Sequence, residues 1–217
     1  MMKSCKQNDL PPEKYRIVVM GSEFVGKTSI ITRFIHGSVP ETYVPTVEDM
    51  YRENYDVRKR NMLLEVLDPA GSDEFPAMRR LAIQQGKAFI LVYSRDVGKS
   101  FEQVRRLREQ ILEIKGHANL PIVIVCNKVD QLKTDNCEVT EEEAIAVLQW
   151  KCKHIQTSAT DNINITGVFL ELLSQANIIS EIPRSRSEIT AELIAIRDKI
   201  KERRTVKAHK EKKCILM

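Results

Sequence analysis

The chain has 217 residues, 42% hydrophobic and 29% charged, with a net charge of +4. That suffices for one ordinary domain plus an extension, and no run approaches the roughly 20 apolar residues of a membrane span. Met1-Met2-Lys3-Ser4-Cys5-Lys6 carries no apolar signal region and no Gly at position 2, which argues against secretion and myristoylation. Five cysteines without metal-ligand spacing fit reduced thiols in the cytosol, and structural roles for Cys126, Cys137 and Cys152. Residues 181–217 hold eleven Lys/Arg against six Asp/Glu, so the tail carries +5 and the remainder −1. The basic character belongs to the tail, which argues against a nucleic-acid-binding face on the body.

Residues 1–14 are polar with Pro11-Pro12 and read as a disordered leader. Tyr15 to Met20 is a buried strand of β-branched residues, and Ile30 to Ile35 has helical spacing. Gly37 to Asp49 is loop-like, with Pro40 and Pro45 blocking regular helix. Tyr51 to Val57 and Met62 to Leu67 predict strands around the charged turn Arg58-Lys59-Arg60-Asn61, and Asp68-Pro69-Ala70-Gly71 ends the second. Helices are expected over Phe75–Gln85, Ser100–Lys115, Glu141–Trp150 and from Val168 to Ile179. Further strands are expected over Lys87–Tyr93, Pro121–Cys126 and His154–Thr157. Strands alternating with helices predict an α/β fold, a mostly parallel sheet of six strands covered on both faces.

The first chemistry lies between the first strand and helix, at Gly21-Ser22-Glu23-Phe24-Val25-Gly26-Lys27-Thr28-Ser29. Strand, Gly-x-x-x-x-Gly-Lys-Thr, helix is the setting of a phosphate loop, in which backbone N–H groups and the helix dipole converge on an anion. Lys27 would reach the terminal phosphates and the Thr28 hydroxyl would ligate Mg2+. Asp68 at a strand end would hold the metal through water, and Gly71 N–H would meet a γ-phosphate. Asn127-Lys128-Val129-Asp130 ends another strand. A carboxylate there accepts hydrogen bonds from guanine N1 and its exocyclic amine, which adenine cannot donate, so Asp130 sets base specificity. The Lys128 stem would pack along the base, and Asn127 would brace the site. Ser158-Ala159-Thr160, after the last strand, can offer a backbone N–H to the guanine oxygen. Polar turns that bind nothing are the plain alternative for each cluster taken singly.

Together these residues resemble the Ras superfamily of small GTPases over roughly residues 15–180, with its five motifs in order. Tyr43-Val44-Pro45-Thr46-Val47-Glu48-Asp49 is similar to the Ras effector loop, which implies that Thr46 ligates Mg2+ and meets the γ-phosphate of GTP. Phe75-Pro76-Ala77-Met78-Arg79-Arg80-Leu81 and Ser100 to Arg108 look most like the dexamethasone-induced Ras and Rhes branch. The resemblance implies a G domain that acts as a GTP/GDP switch. It also implies partners of three kinds: effector domains, exchange factors and GTPase-activating proteins.

Several residues depart from that pattern. Ser72 stands where Ras hydrolases carry the Gln that orients the attacking water, and its hydroxyl is too short for the same gap. Glu23-Phe24 replaces a Gly-Gly pair, adding charge near the polyphosphate and bulk on the route of an arginine finger. Pro69 replaces the family Thr, and Val39 the aromatic that usually packs edge-on to guanine. The catalytic set Lys27, Thr46, Gly71 and Ser72 therefore implies slow hydrolysis and a weak response to ordinary activating proteins.

In the tail, Ser185-Arg186-Ser187-Glu188 matches a capping box, and Ile189, Leu193, Ile196 and Ile200 form a helical stripe. That helix would either cover apolar surface of the domain or bind a partner or membrane. Basic residues from Lys199 to Lys213 then precede Cys214-Ile215-Leu216-Met217, a C-a-a-X sequence whose Met favours farnesyl over geranylgeranyl on Cys214. One lipid plus a polybasic run predicts anchoring at the anionic cytoplasmic face of the plasma membrane, with a cytosolic pool. The sequence thus predicts a membrane-anchored GTP/GDP switch. A non-hydrolysing, GTP-bound interaction module is a second reading, and a phosphate-loop kinase a third that Asp130 argues against.

Overall fold

The computed structural model describes residues 13–39, 46, 48–57, 60–69, 76–116, 120–131 and 140–178. Six strands, β1 (Glu13–Gly21), β2 (Glu48–Val57), β3 (Arg60–Pro69), β4 (Ala88–Ser94), β5 (Ile122–Asn127) and β6 (Lys153–Gln156), form one sheet in the order β2-β3-β1-β4-β5-β6. Only β2 runs antiparallel to its neighbour; the other pairings are parallel. The expected mostly parallel six-stranded α/β sheet is the one observed.

Every residue of Ala-Phe-Ile-Leu-Val-Tyr-Ser in β4 and Ile-Val-Ile-Val-Cys-Asn in β5 is buried, as central parallel strands covered on both faces must be. Alternation in β1 sends Ile17 and Val19 to one core and Val18 and Met20 to the other. The first core is closed by α1 (Lys27–His36) and α5 (Ile165–Gln175), whose Phe34 and Phe169 rings stack at 3.8 Å. The second is closed by α2 (Pro76–Gln85), α3 (Ser100–Lys115) and Ala146 of the turn that follows α4 (Glu141–Ala144). Val104, Leu107 and Ile111 of α3 recur at helical spacing and are buried, whereas Glu102, Arg106, Glu109 and Glu113 are exposed.

Several expected boundaries move. Lys14, read as part of a leader, lies in β1, which pairs with β3 from Glu13 onward. β2 and β3 are longer than predicted because antiparallel pairing continues at both ends, from Glu48↔Pro69 to Val57↔Arg60. Arg60 and Asn61 are therefore strand rather than turn. Pro69 does not stop β3 early; it sits at the strand's last position, where a missing N–H costs no ladder bond. The Glu141–Trp150 helix is a four-residue α4 capped by the Thr140 hydroxyl, continuing as a π-turn over Ile145–Gln149. α5 starts three residues before Val168 and ends at Gln175. The leader before Glu13 and the tail after Ile178 lie outside the described residues. Among described cysteines, Cys126 is buried and Cys152 half-buried, both free.

His154, at the start of β6, carries a pH dependence. Its Nε2 lies 3.1 Å from the Tyr93 hydroxyl, while Nδ1 has no hydrogen-bond partner among the described residues and stands 3.8 Å from Glu143 Oε1. Burial lowers its pKa, with Glu143 and Glu142 opposing and Arg95 reinforcing the shift. The unfolded chain therefore takes the proton first, and stability falls as pH drops from the unfolded value of 6.5 through the lower native one. Urea midpoints between pH 7 and 5 should show this loss in the native chain and a shallower slope in His154→Gln. Equal slopes would refute it.

Candidate nucleotide-binding site

The polar clusters meet at the carboxyl ends of β1, β3, β4, β5 and β6. Residues 22–26 leave β1 and return into α1, which begins at Lys27 without a side-chain cap, so its first N–H groups face the loop. Two glycines are sterically required. A Cβ on Gly21 would meet the Val92 carbonyl oxygen at 2.1 Å, and one on Gly26, at φ +89°, would meet Asn127 Nδ2 at 2.4 Å. Val25 is fully buried beneath the loop. Lys27 Nζ folds back over it to donate to Ser22 O at 2.9 Å. Burial lowers the Lys27 pKa, while Asp68 and Glu23 raise it.

Three hard oxygens converge on the α1 side of the loop. Thr28 Oγ1 lies 2.9 Å from Thr46 Oγ1 and donates to Asp68 Oδ2 at 2.5 Å. Asp68 Oδ1 is buried without a hydrogen-bond partner among the described residues, and burial raises the carboxyl pKa to about 6 despite the Thr28 bond and Lys27. A carboxylate whose second oxygen is desolvated and unpaired, beside two hydroxyls, fits the oxygen ligand set that Mg2+ takes. Among the expected metal ligands, Thr28, Thr46 and Asp68 are thus brought together.

Asn127 is the hub of the base side. Its Nδ2 donates to Val25 O at 2.9 Å, and its Oδ1 accepts from Thr157 Oγ1 at 3.1 Å and Ala159 N at 3.3 Å. One buried amide therefore ties the phosphate loop to residues 157–159. Lys128, at φ +63°, sends Nζ to Asp96 Oδ2 at 2.7 Å. Burial pushes Asp96 upward, but bonds from Lys128 and Ser94 and the Lys128 charge hold it below the usual carboxylate range. Asp130 is exposed on a single 3-10 turn, Val129–Gln131, with its carboxylate available to a base. Ser158, whose hydroxyl accepts from Asp161 N, closes a short bridge with Ile163, leaving Ala159 and Thr160 at the rim.

Glu23 is exposed, and Phe24 is 58% exposed at φ +63°, a backbone region that suits glycine. Ser29 lies half-buried in the first turn of α1. Val39 packs against the α1–α5 core. Glu48 and Asp49 belong to β2 rather than to a loop. Tyr43, Val44, Pro45, Val47, Gly71, Ser72 and Cys214 lie outside the described residues. Two residues escaped the sequence reading. Asp96 carried a usable signal, a carboxylate just past a buried strand. Arg33 did not, because its guanidinium binds backbone carbonyls of Gly37, Ala159 and Thr160, which have no sequence signature.

A phosphate loop, an oxygen triad and a base-side turn on one edge of a parallel sheet define a nucleoside-triphosphate-binding switch protein of the phosphate-loop class. Residues 16–178 match the Ras family. The GTP-binding protein Di-Ras2 of Mus musculus is 44% identical over 161 residues, 74% of this chain and 80% of its own. Di-Ras1 of Homo sapiens is 43% identical over 162 residues, with the same two shares. The GTP-binding protein Rhes of Homo sapiens is 40% identical over 177 residues, 77% of this chain and 66% of its own. The chain belongs to the Ras family. It is a small GTPase that binds GTP, GDP and Mg2+ and hydrolyses GTP to GDP and phosphate.

Proposed function

We propose that this GTPase is a membrane-anchored signalling switch that hydrolyses GTP slowly. The observation that carries the switch is the convergence of Thr28, Thr46 and Asp68, because Thr46 comes from the expected effector segment, Thr28 from the first turn of α1 and Asp68 from the end of β3. Mg2+, when bound, neutralises charge on the β- and γ-phosphates. Lys27, Gly71 and the N–H groups of residues 21–29 hold the phosphates, and Asn127, Lys128, Asp130 and Ser158-Ala159-Thr160 hold guanine. Loss of the γ-phosphate removes the partner of Thr46 and Gly71, and their release supplies the switch. Effector domains read that segment in the GTP state, with β2, an edge strand, open to strand addition.

Slow hydrolysis follows from Ser72 in place of Gln, and from Glu23 and the exposed Phe24 at the mouth of the phosphate loop. Ser72, Glu23 and Val39 favour a second reading, a module held permanently with GTP. Nucleotide extracted from purified protein separates them: a GTP/GDP mixture that turns over supports the switch, and GTP without turnover supports the module.

A prenyl group on Cys214 with the preceding lysines and arginines supplies the anchor at the cytoplasmic face of the plasma membrane. A single lipid holds marginally, and each basic residue adds about 1 kcal/mol near anionic lipid. Cys214→Ser should shift the protein from membrane to cytosol in cell fractionation. Unchanged membrane binding would contradict the assignment.

A further inference from the structure

Arg33, in the last turn of α1, spends its guanidinium on three carbonyls. Nε donates to Ala159 O at 2.7 Å, Nη2 to Thr160 O at 2.8 Å and Nη1 to Gly37 O at 2.9 Å. The fork joins two segments that the chain itself leaves far apart. One is the rim after β6 that faces the base; the other is the left-handed turn at Gly37, φ +73°, that opens the segment leading to Val39 and Thr46. We propose that Arg33 is a positioning residue that sets how long guanine nucleotide stays bound, by holding the backbone of residues 159–160 against the base. The proposal rests on the assignment of Ser158-Ala159-Thr160 to the guanine oxygen.

Three observations carry it. Ala159 N reaches Asn127 Oδ1 only at 3.3 Å, and the Ser158–Ile163 bridge and the Asp161 N to Ser158 Oγ bond hold residue 158. The close bonds to the carbonyls of residues 159 and 160 therefore come from Arg33. Bonds from a charged, planar fork are shorter and stronger than neutral ones, and the fork fixes direction as well as distance. Val39, meanwhile, packs on the α1–α5 core where relatives usually place an aromatic ring beside the base. With that support absent, retention depends more heavily on the rim. Gly37 O also makes the clamp a link, because displacing residues 37–39 removes one of its three acceptors.

The test uses the full chain loaded with fluorescent GDP or with the diphosphate of 2-aminopurine riboside, which lacks the C6 oxygen. That analogue also lacks the N1 proton, a loss that weighs equally on native and variant protein and cancels in the comparison. Arg33→Ala should speed GDP release on the order of tenfold to a hundredfold, the loss of one or two charge-assisted bonds. Release of the 2-aminopurine nucleotide should change by less than about threefold, a margin well inside one such bond. Arg33→Lys, which keeps the charge but not the fork, should fall between. Equal acceleration of both nucleotides would overturn the proposal and leave Arg33 a general stabiliser of the fold. Native protein that releases both nucleotides at one rate would instead overturn the assignment of the rim to the guanine oxygen. Unchanged GDP release in both Arg33 variants would overturn the clamp alone.

Discussion

Asp130→Asn is expected to weaken GTP binding by roughly 10²–10⁴-fold and to create affinity for xanthosine triphosphate. The carboxylate accepts from guanine N1–H and from the 2-amino group. An asparagine amide instead presents an N–H to one of those donors, leaving two donors face to face. Xanthine carries an oxygen at C2 and pairs with that amide, so the substitution exchanges one base for another. The fold should be spared, because Asp130 is exposed and the 3-10 turn is held by the Gln131 N–H to Lys128 O bond of 3.1 Å. Nucleotide competition with GTP, XTP and ATP reads the outcome. Undiminished GTP affinity would remove Asp130 from the base site.

Glu23→Gly combined with Ser72→Gln is expected to raise single-turnover GTP hydrolysis by about tenfold or more. The pair should also restore a response to activating proteins, whose arginine finger is worth roughly 10³–10⁵ in rate for Ras itself. Glutamine supplies the reach to orient a water that serine lacks, and glycine removes both charge and bulk beside the γ-phosphate. Phe24 adds a separate effect. At φ +63° a bulky side chain costs roughly 1–2 kcal/mol in backbone strain, so Phe24→Gly should relieve strain while opening the same route. If the double variant hydrolyses GTP no faster than the native chain, neither residue is the source of slow turnover.

What the sequence disclosed and what it hid follow from the same physics. β4 and β5 were visible because buried parallel strands must be apolar on both faces, and α3 because Val104, Leu107 and Ile111 keep one helical face. The phosphate loop, Asp68 and Asn127 were visible because their chemistry demands particular side chains at particular spacings. The ends of β2 and β3 were not. Their pairing to Glu48↔Pro69 is fixed by a partner strand rather than by local propensity, and the charged Arg60 gives no sign of it. α5 starts earlier than expected, at Ile165, which is buried in its first turn, and it runs through Gly167, a poor helix former. The Arg33 clamp was hidden because its acceptors are all main-chain carbonyls.

Guanine-nucleotide binding comes with membership of the family, and slow hydrolysis is what we propose for this member of it. One experiment reads both, in which purified full-length chain is loaded in turn with GTP, GDP and ATP in Mg2+ and single-turnover hydrolysis is followed beside Ras. The predicted result is retention of GTP and GDP but not ATP, with GTP cleaved distinctly more slowly than by Ras. Equal retention of ATP, or a hydrolysis rate equal to that of Ras, would contradict it.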